Sequence, residues 1–195
     1  MKTNFLNSTR KQFEYYKMLG DRTFAQLENE DFFWQINKES NSIAIIVKHL
    51  WGNMLSRWTD FLTSDGEKEW RNREAEFDAD IKDVKEMLEK WEEGWNCLFT
   101  AIDSVNEDNF DTKILIRNQA HTVVEAVLRQ LAHYSYHVGQ IVYLGRMKKG
   151  DTWKSLSIAR GDSAAFNKEK FERETRNDHF TTEFLDGSFY DKNKS

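Results

Sequence analysis

Two histidines four residues apart carry the most specific chemical signal in the sequence. His133 and His137 lie in the stretch Gln130–Gln140, within a long segment of helical periodicity. Side chains at positions i and i+4 of a helix project from one face, one turn apart, so both imidazoles can reach a single metal ion. Because two ligands do not complete a metal site, the spacing predicts a further ligand elsewhere in the chain.

His49 is the candidate third ligand. It lies in the middle of a second amphipathic segment, at a depth comparable to that of the histidine pair if the two helices pack side by side. Gly52 and Asn53 follow one turn further on, and their small size would leave room for an ion or a ligand. Three imidazoles would leave coordination positions open, as in catalytic sites, and neutral imidazole suits zinc, nickel, copper or iron.

The same histidines have a simpler interpretation. A pair at this spacing is common, and both side chains could lie at the surface or be core histidines that neighbouring groups satisfy. Flanking Tyr134 and Val138 favour partial burial. A fourth ligand, with His121 or Glu125 as the candidates, would indicate a structural metal site instead. His121 is however expected near a helix start, as a cap-region or surface residue.

Four other side chains near the histidines could orient a metal ligand or contact a substrate. They are Asn53, Arg129, Tyr136 and Gln140. Arg129 and Gln140 lie about one turn on either side of the histidine pair, at the distance from which neighbouring groups orient metal ligands. Arg129 could equally form an ion pair with Glu125 on the helix surface.

Four long segments with apolar residues at spacings of three or four must position these side chains. We predict helices over Asn4–Leu27, Ser42–Leu62, Ile81–Val105 and Thr122–Met147. Asn41 or Ser42 can cap the second helix, and Gly150 can end the fourth. The absence of proline and an aromatic content of 14% suit a helical, heavily packed domain. The sequence therefore predicts an all-α four-helix bundle.

The remaining segments are predicted as loops, with one open choice. Thr63–Asp80 is a charged loop, and its run Glu67–Glu76 is expected to be solvated. Lys113–Arg117 could be a short extended strand or a packed loop. The expected core stripe of the fourth helix is Val124, Leu128, Leu131, Ser135, Val138 and Val142. The bundle is placed at residues 1–160, and a polar C-terminal extension at 161–195, with at most a short helix near Ala164–Arg173.

Composition limits the classes of partner. The 28 basic and 33 acidic residues give a net charge of −5 without a basic block, so nucleic acid and anionic membranes are not expected as main partners. The longest apolar run, Ile43–Val47, is too short to span a bilayer, and Met1–Arg10 lacks the apolar stretch of a signal peptide. The single cysteine, Cys97, excludes an internal disulfide. These features favour the cytoplasm. Cys97 is too isolated to be assigned as a nucleophile.

Several longer motifs follow one another along the chain, and their order can be compared with that of a known family. They are Ile45–Thr63 with Asp65–Gly66, Arg71–Arg73, His121–Glu125, Arg129–Ile141, Leu156–Gly161 and Phe166–Asn167. Together they resemble the DinB-like superfamily, and more closely one of its uncharacterised bacterial branches. Relatives often carry proline after the Leu-Ser-Ile triplet, where this chain has Ala159. That difference concerns the local path of the chain and leaves the histidines unaffected.

The resemblance implies a four-helix bundle that holds a divalent metal ion, usually zinc or nickel. The family's ligands are one histidine of the second helix and an HxxxH pair of the last, which correspond to His49, His133 and His137. The resemblance also implies a frequent homodimer and a small-molecule substrate, since some members are transferases that add a low-molecular-weight thiol to an electrophile. No separate catalytic base stands out. The alternatives are a metal-dependent hydrolase, a non-catalytic metal-binding or stress-related interaction protein, and a bundle whose histidines hold no metal.

Overall fold

Four long helices dominate the computed structural model, which describes residues 2–191. The helices are α1 (Lys2–Phe24), α2 (Ile43–Trp58), α3 (Val84–Asp103) and α4 (Val123–Lys149). The main contacts are between α1 and α4 and between α2 and α3, while α2 also packs against α4 and α1 against α3. This arrangement confirms the predicted all-α helical bundle, and it makes the two histidine-bearing helices neighbours.

The ends of α2 and α4 follow their capping residues. Ser42 begins α2, since its Oγ accepts a hydrogen bond from the backbone N–H of Ile45 at 3.3 Å. Thr122 and Glu125 form a reciprocal capping box at the start of α4. Gly150 ends α4 with a φ of 51°, a value that favours glycine. These caps fix the register of the helices that carry the histidines.

The core between the helices is rich in aromatic side chains, and a chain of hydrogen bonds crosses it. The indole N–H of Trp58 donates to the hydroxyl of Tyr134 at 2.9 Å, and that hydroxyl donates to Oδ1 of Asn53 at 3.0 Å. Tyr134 is fully buried. This chain of hydrogen bonds ties α2 to α4 through Asn53, one turn from His49, and through Tyr134, the residue after His133.

The predicted core stripe of α4 was wrong in part. Leu128 is 47% exposed, and of the predicted set only Val138 is buried. The buried residues of α4 include Val123, Val127, Gln130, Tyr134, Val138 and Ile141. The pattern misled because α4 packs against both α1 and α2, so its apolar residues cover a wide arc. Tyr134 can occupy the centre of that arc because its hydroxyl is satisfied.

A small hairpin precedes α4, and it shows that the segment Lys113–Arg117 contains a strand rather than a packed loop. β1 (Ile114–Ile116) pairs antiparallel with β2 (Gln119–His121), which the sequence had not indicated. Arg117 and Asn118 connect the strands with positive φ values of 55° and 59°, as in a two-residue hairpin turn. Asp65 stabilises this turn, since its carboxylate accepts both backbone N–H groups at 2.8 and 2.7 Å.

The segment after residue 161 packs onto α1 through aromatic side chains. It contains α5 (Ser163–Phe171), close to the expected short helix, and the unpredicted α6 (Thr182–Leu185) and α7 (Ser188–Asp191). The ring of Phe184 lies 5.3 Å from that of Tyr15 between centroids. The boundary between bundle and extension stays a prediction. Within residues 2–191, no helix combines the length and apolarity needed to cross a membrane.

Candidate metal centre

The three predicted histidines converge where α2 packs against α4. Nε2 of His133 lies 3.3 Å from Nε2 of His49 and 3.1 Å from Nε2 of His137. The ligand atoms of the three residues all lie within 4.8 Å of one another. Two imidazole nitrogens bound to one tetrahedral zinc ion are roughly 3.3 Å apart, given bonds of about 2.0–2.1 Å. The three side chains are therefore close enough to hold one metal ion.

Hydrogen bonds to the other ring nitrogens orient two of these histidines. Nδ1 of His49 contacts Oε2 of Glu76 at 2.9 Å, and Nδ1 of His137 contacts Oε1 of Gln140 at 2.8 Å. These oxygens accept hydrogen bonds, so both Nδ1 atoms carry the proton and both Nε2 atoms present a lone pair. Metal-binding histidines in proteins use this arrangement, because the outer partner fixes the tautomer and the ring orientation.

A buried ion pair holds Glu76 in place. Arg71 donates from Nε to Oε1 at 2.7 Å and from Nη2 to Oε2 at 3.0 Å. The two side chains are only 2% and 6% exposed. Burial acts to raise the pKa of the Glu76 carboxyl, but the hydrogen bonds from His49 and Arg71 outweigh it, so that pKa lies below its ordinary value. Glu76 is thus an ionised partner for His49 at neutral pH.

The prediction of a solvated loop over Glu67–Glu76 was wrong for Arg71 and Glu76. The loop folds back because α2 buries two basic side chains that require partners. Nζ of Lys48 donates to the carbonyl of Ala75, and Arg57 pairs with Glu67. The sequence signal was the presence of lysine and arginine on a helix that is otherwise apolar and buried.

Gly52 allows Glu76 to reach His49. A Cβ atom at this position would lie 2.5 Å from Oε1 of Glu76 and 2.9 Å from its Cδ. The space expected at Gly52 for an ion or a ligand is therefore filled by the carboxylate that orients a histidine. Phe77 closes the same side, since its ring stacks on His49 at 4.9 Å between centroids.

Three further residues predicted to lie near the histidines, Gln140, Tyr136 and Asn53, make different contacts. Gln140 contacts His137 directly, as described above. Tyr136 is 63% exposed, and its ring packs edge-on against His137 at 4.9 Å between centroids. Asn53 is buried and accepts the hydrogen bond from Tyr134. Sequence reasoning missed Glu76, Arg71 and Phe77, which come from the loop.

Arg129 and His121 lie beside the three histidines without joining them. Nη1 of Arg129 is 3.3 Å from Nε2 of His121. The alternative pairing of Arg129 with Glu125 does not form, and that carboxylate instead accepts a hydrogen bond from the backbone N–H of Thr122 at the start of α4. Within the described residues, no fourth histidine, cysteine, aspartate or glutamate joins the three histidines.

The environment keeps the α4 histidines neutral. Burial, together with His137, His49 and nearby arginines, lowers the pKa of His133 to about 3. Burial lowers the pKa of His137 to about 4, although its hydrogen bond to Gln140 acts in the opposite direction. Both imidazoles are therefore unprotonated near pH 7, which is the form that binds metal.

A cavity of about 230 Å³ adjoins the histidines, and His49, His133 and Asn53 contribute to its wall. Exogenous molecules can approach two of the three histidines from this side. A larger open groove of about 970 Å³ lies on the outer face of α3, far from this chemistry, and neither histidine nor cysteine lines it. Cys97 lies outside the centre as well, and burial raises the pKa of its thiol.

Comparison with known proteins identifies a family without describing an activity. The searches of curated proteins and of solved structures gave no match. The sequence model of one family, described as "Protein of unknown function (DUF1572)", matches residues 1–162. That match includes all three histidines and the loop that carries Glu76. Since it spans most of the chain, the protein belongs to the DUF1572 family.

Proposed function

We propose that His49, His133 and His137 bind one divalent metal ion, zinc or nickel, and that the site is catalytic. The convergence of three Nε2 atoms beside a cavity carries this proposal. A structural zinc site normally has four protein ligands, whereas catalytic sites have three and leave a position for water or substrate. With no fourth candidate among residues 2–191, the ligand set favours chemistry over a purely structural role.

The reaction we propose is that of a DinB-like, metal-dependent transferase acting on a low-molecular-weight thiol. The motif resemblance supports this choice. A divalent metal at the three histidines would lower the pKa of a thiol bound at the remaining position and supply a thiolate near neutral pH. The thiol loses its proton to solvent, sulfur forms a bond to an electrophilic carbon, and the leaving group departs with its electron pair.

In this proposal the chain's own residues position the ligands and shield the centre. Glu76 and Gln140 hold His49 and His137 in the tautomer that directs Nε2 inwards. Phe77 stacks on His49 and limits the access of water from that side. No carboxylate lines the described cavity, which fits release of the thiol proton to solvent.

A thiol-conjugation assay tests the proposed reaction. Zinc- or nickel-loaded protein is mixed with monochlorobimane and, in separate reactions, with bacillithiol, glutathione and related thiols. The expected result is a metal-dependent rate of bimane conjugation and chloride release with at least one thiol. His133→Ala should abolish that rate, whereas the control His121→Ala should retain it, since His121 lies outside the three-histidine group.

Failure with every thiol in a metal-loaded sample would contradict the transferase and leave metal binding intact. Hydrolysis of an ester substrate by the same sample would then favour the metal-dependent hydrolase, in which water occupies the open position. The homodimer is also a proposal from the family resemblance, and the mass in solution measured by light scattering tests it.

A further inference from the structure

The cavity beside the histidines is lined by an unusual concentration of arginine. Its wall contains Arg57, Arg71, Arg73, Arg117 and Arg129, and no carboxylate. These five residues come from α2, from the loop after it, from the hairpin turn and from α4, so the fold gathers them from separate parts of the chain. The chain as a whole is acidic, at −5. The positive charge is therefore a local property of this site.

Nearby carboxylates neutralise only part of this charge. Glu67 pairs with Arg57 and Arg117, and Glu76 pairs with Arg71. Arg73 and Arg129 form no ion pair with any carboxylate whose side chain the structure describes. Two exposed guanidinium groups thus remain without a carboxylate partner at the wall of the cavity and can pair with a bound anion.

Two buried polar groups at the same wall have unused hydrogen-bonding capacity. Gln130 is only 4% exposed, and its Oε1 has no hydrogen-bond partner among the described residues. Nη1 of Arg71 is buried without a hydrogen-bond partner as well, although it lies 3.8 Å from Oε2 of Glu67. Buried polar groups in proteins are almost always satisfied. Nη1 of Arg71 is a donor and therefore points to an acceptor in the cavity, such as an anion, whereas the Gln130 oxygen requires a donor.

The arginines at this wall repel one another. Burial and the proximity of Arg71 lower the pKa of Arg57, which is the direction expected where positive charges are crowded.

We propose that this cavity binds the carboxylate or phosphate group of a small anionic substrate, with Arg73 and Arg129 as the principal contacts. The inference rests on the proposed metal site for its catalytic meaning, because His49 and His133 line the same cavity. An acidic group held by the arginines would place the adjoining part of the substrate next to the metal ligands. Guanidinium forks bind planar carboxylates and tetrahedral phosphates in two-point contacts, so both chemistries fit.

Calorimetric titration of the full-length protein tests the proposal with three probes. Inorganic phosphate and succinate are the two anions, and succinamide is the uncharged analogue of succinate. Each is titrated into metal-free protein and, separately, into zinc-loaded protein at one fixed low salt concentration. The double variant R73Q/R129Q removes the two uncompensated charges. R146Q/R160Q removes the same number of charges from exposed arginines that do not line the cavity.

The expected result is that at least one anion binds the metal-free protein and succinamide does not. R73Q/R129Q should weaken that binding at least tenfold, while R146Q/R160Q stays within twofold of the wild type. Comparison of the dissociation constants of phosphate and succinate then shows which acidic group the cavity binds more tightly. A thermal melting midpoint close to that of the wild type verifies that each variant is folded.

The proposal is overturned if neither anion binds, if R73Q/R129Q binds as tightly as the wild type, or if both double variants lose binding equally. Binding that requires zinc and ignores the arginines would overturn it too, since the metal alone would then hold the anion. Arginine-dependent binding by a protein that holds no metal would uphold the anion site while refuting the proposed function. Metal binding without any anion binding would refute the anion site alone.

Discussion

The α2 side and the α4 side of the three-histidine site are built in different ways. On α4, His133, His137 and Gln140 occupy successive turns of one helix, so the helix geometry itself sets their positions. On α2, His49 depends on Glu76, which lies 27 residues further along the chain in a loop. The contacts on the α4 side form within one helix, whereas those on the α2 side form only when the loop that carries Glu76 folds onto α2. The spacing of His133 and His137 is thus set by residues close in sequence, whereas the orientation of His49 depends on a residue distant in sequence.

The largest effect is expected when the long-range partner is removed. Glu76→Ala leaves the guanidinium of Arg71 buried without its main partner, which costs about 3–5 kcal/mol of unfolding free energy. It also frees His49 to rotate, and metal affinity should fall about 10–100-fold. Urea unfolding of the metal-free protein and a zinc titration against a chelator measure the two effects. The exposed neighbour Glu74→Ala is the matched control, and equal effects of the two changes would contradict the account.

A pair of glycine substitutions compares the two helices directly. Gly52→Ala on α2 places a Cβ atom 2.5 Å from Oε1 of Glu76, and the displacement should cost roughly 1–3 kcal/mol and weaken zinc binding. Gly139→Ala on α4 meets nothing within 4 Å, and should stabilise the helix by roughly 0.5–1 kcal/mol. Melting midpoints and zinc affinities of both variants provide the measurement. Stabilisation by both changes would mean that Glu76 does not occupy the space at Gly52.

The local partner should matter less than the distant one. Gln140→Ala removes the hydrogen bond to Nδ1 of His137, while the helix continues to hold the ring near its position. We expect a loss of zinc affinity of about tenfold, at the lower end of the range for such partners. The unfolding free energy should change by no more than about 0.5 kcal/mol. If Gln140→Ala lost more zinc affinity than Glu76→Ala, the local partner would matter more than the distant one, which would contradict the account.

The smallest effect near neutral pH concerns the protonation of the α4 histidines. Their pKa values, about 3 for His133 and about 4 for His137, lie below the ordinary value of ~6.5. The unfolded chain therefore binds more protons between those values, and the metal-free protein should lose stability as the pH falls from about 6.5 towards 4. Above pH 7 this contribution is absent. Urea midpoints measured against pH should show a shallower slope for H133Q/H137Q than for the wild type, and an unchanged slope would contradict the assignment.

The sequence predicted what depends on local periodicity and short spacing. The four helices, the caps at Ser42 and Gly150, and the convergence of His49 with the pair on α4 followed from apolar spacing, from cap residues and from the resemblance to a known superfamily. The buried role of Arg71 and Glu76 did not follow, because a charged run has the same appearance whether it is solvated or folded over a helix. The rotation of α4 was misjudged for a related reason. Leu128 and Tyr134 are both hydrophobic enough for a core, and the apolar spacing alone does not show that Tyr134 is buried and Leu128 is exposed.

The metal content of the purified protein tests the central claim most directly. Wild-type protein purified without chelator and measured by elemental mass spectrometry should contain about one equivalent of zinc or nickel per chain, as a single-ion site requires. His49→Ala and His133→Ala should each lose nearly all of it, and His121→Ala should keep it. Full metal retention by both ligand variants, or a wild type that takes up neither zinc nor nickel when supplied with them, would contradict the three-histidine centre.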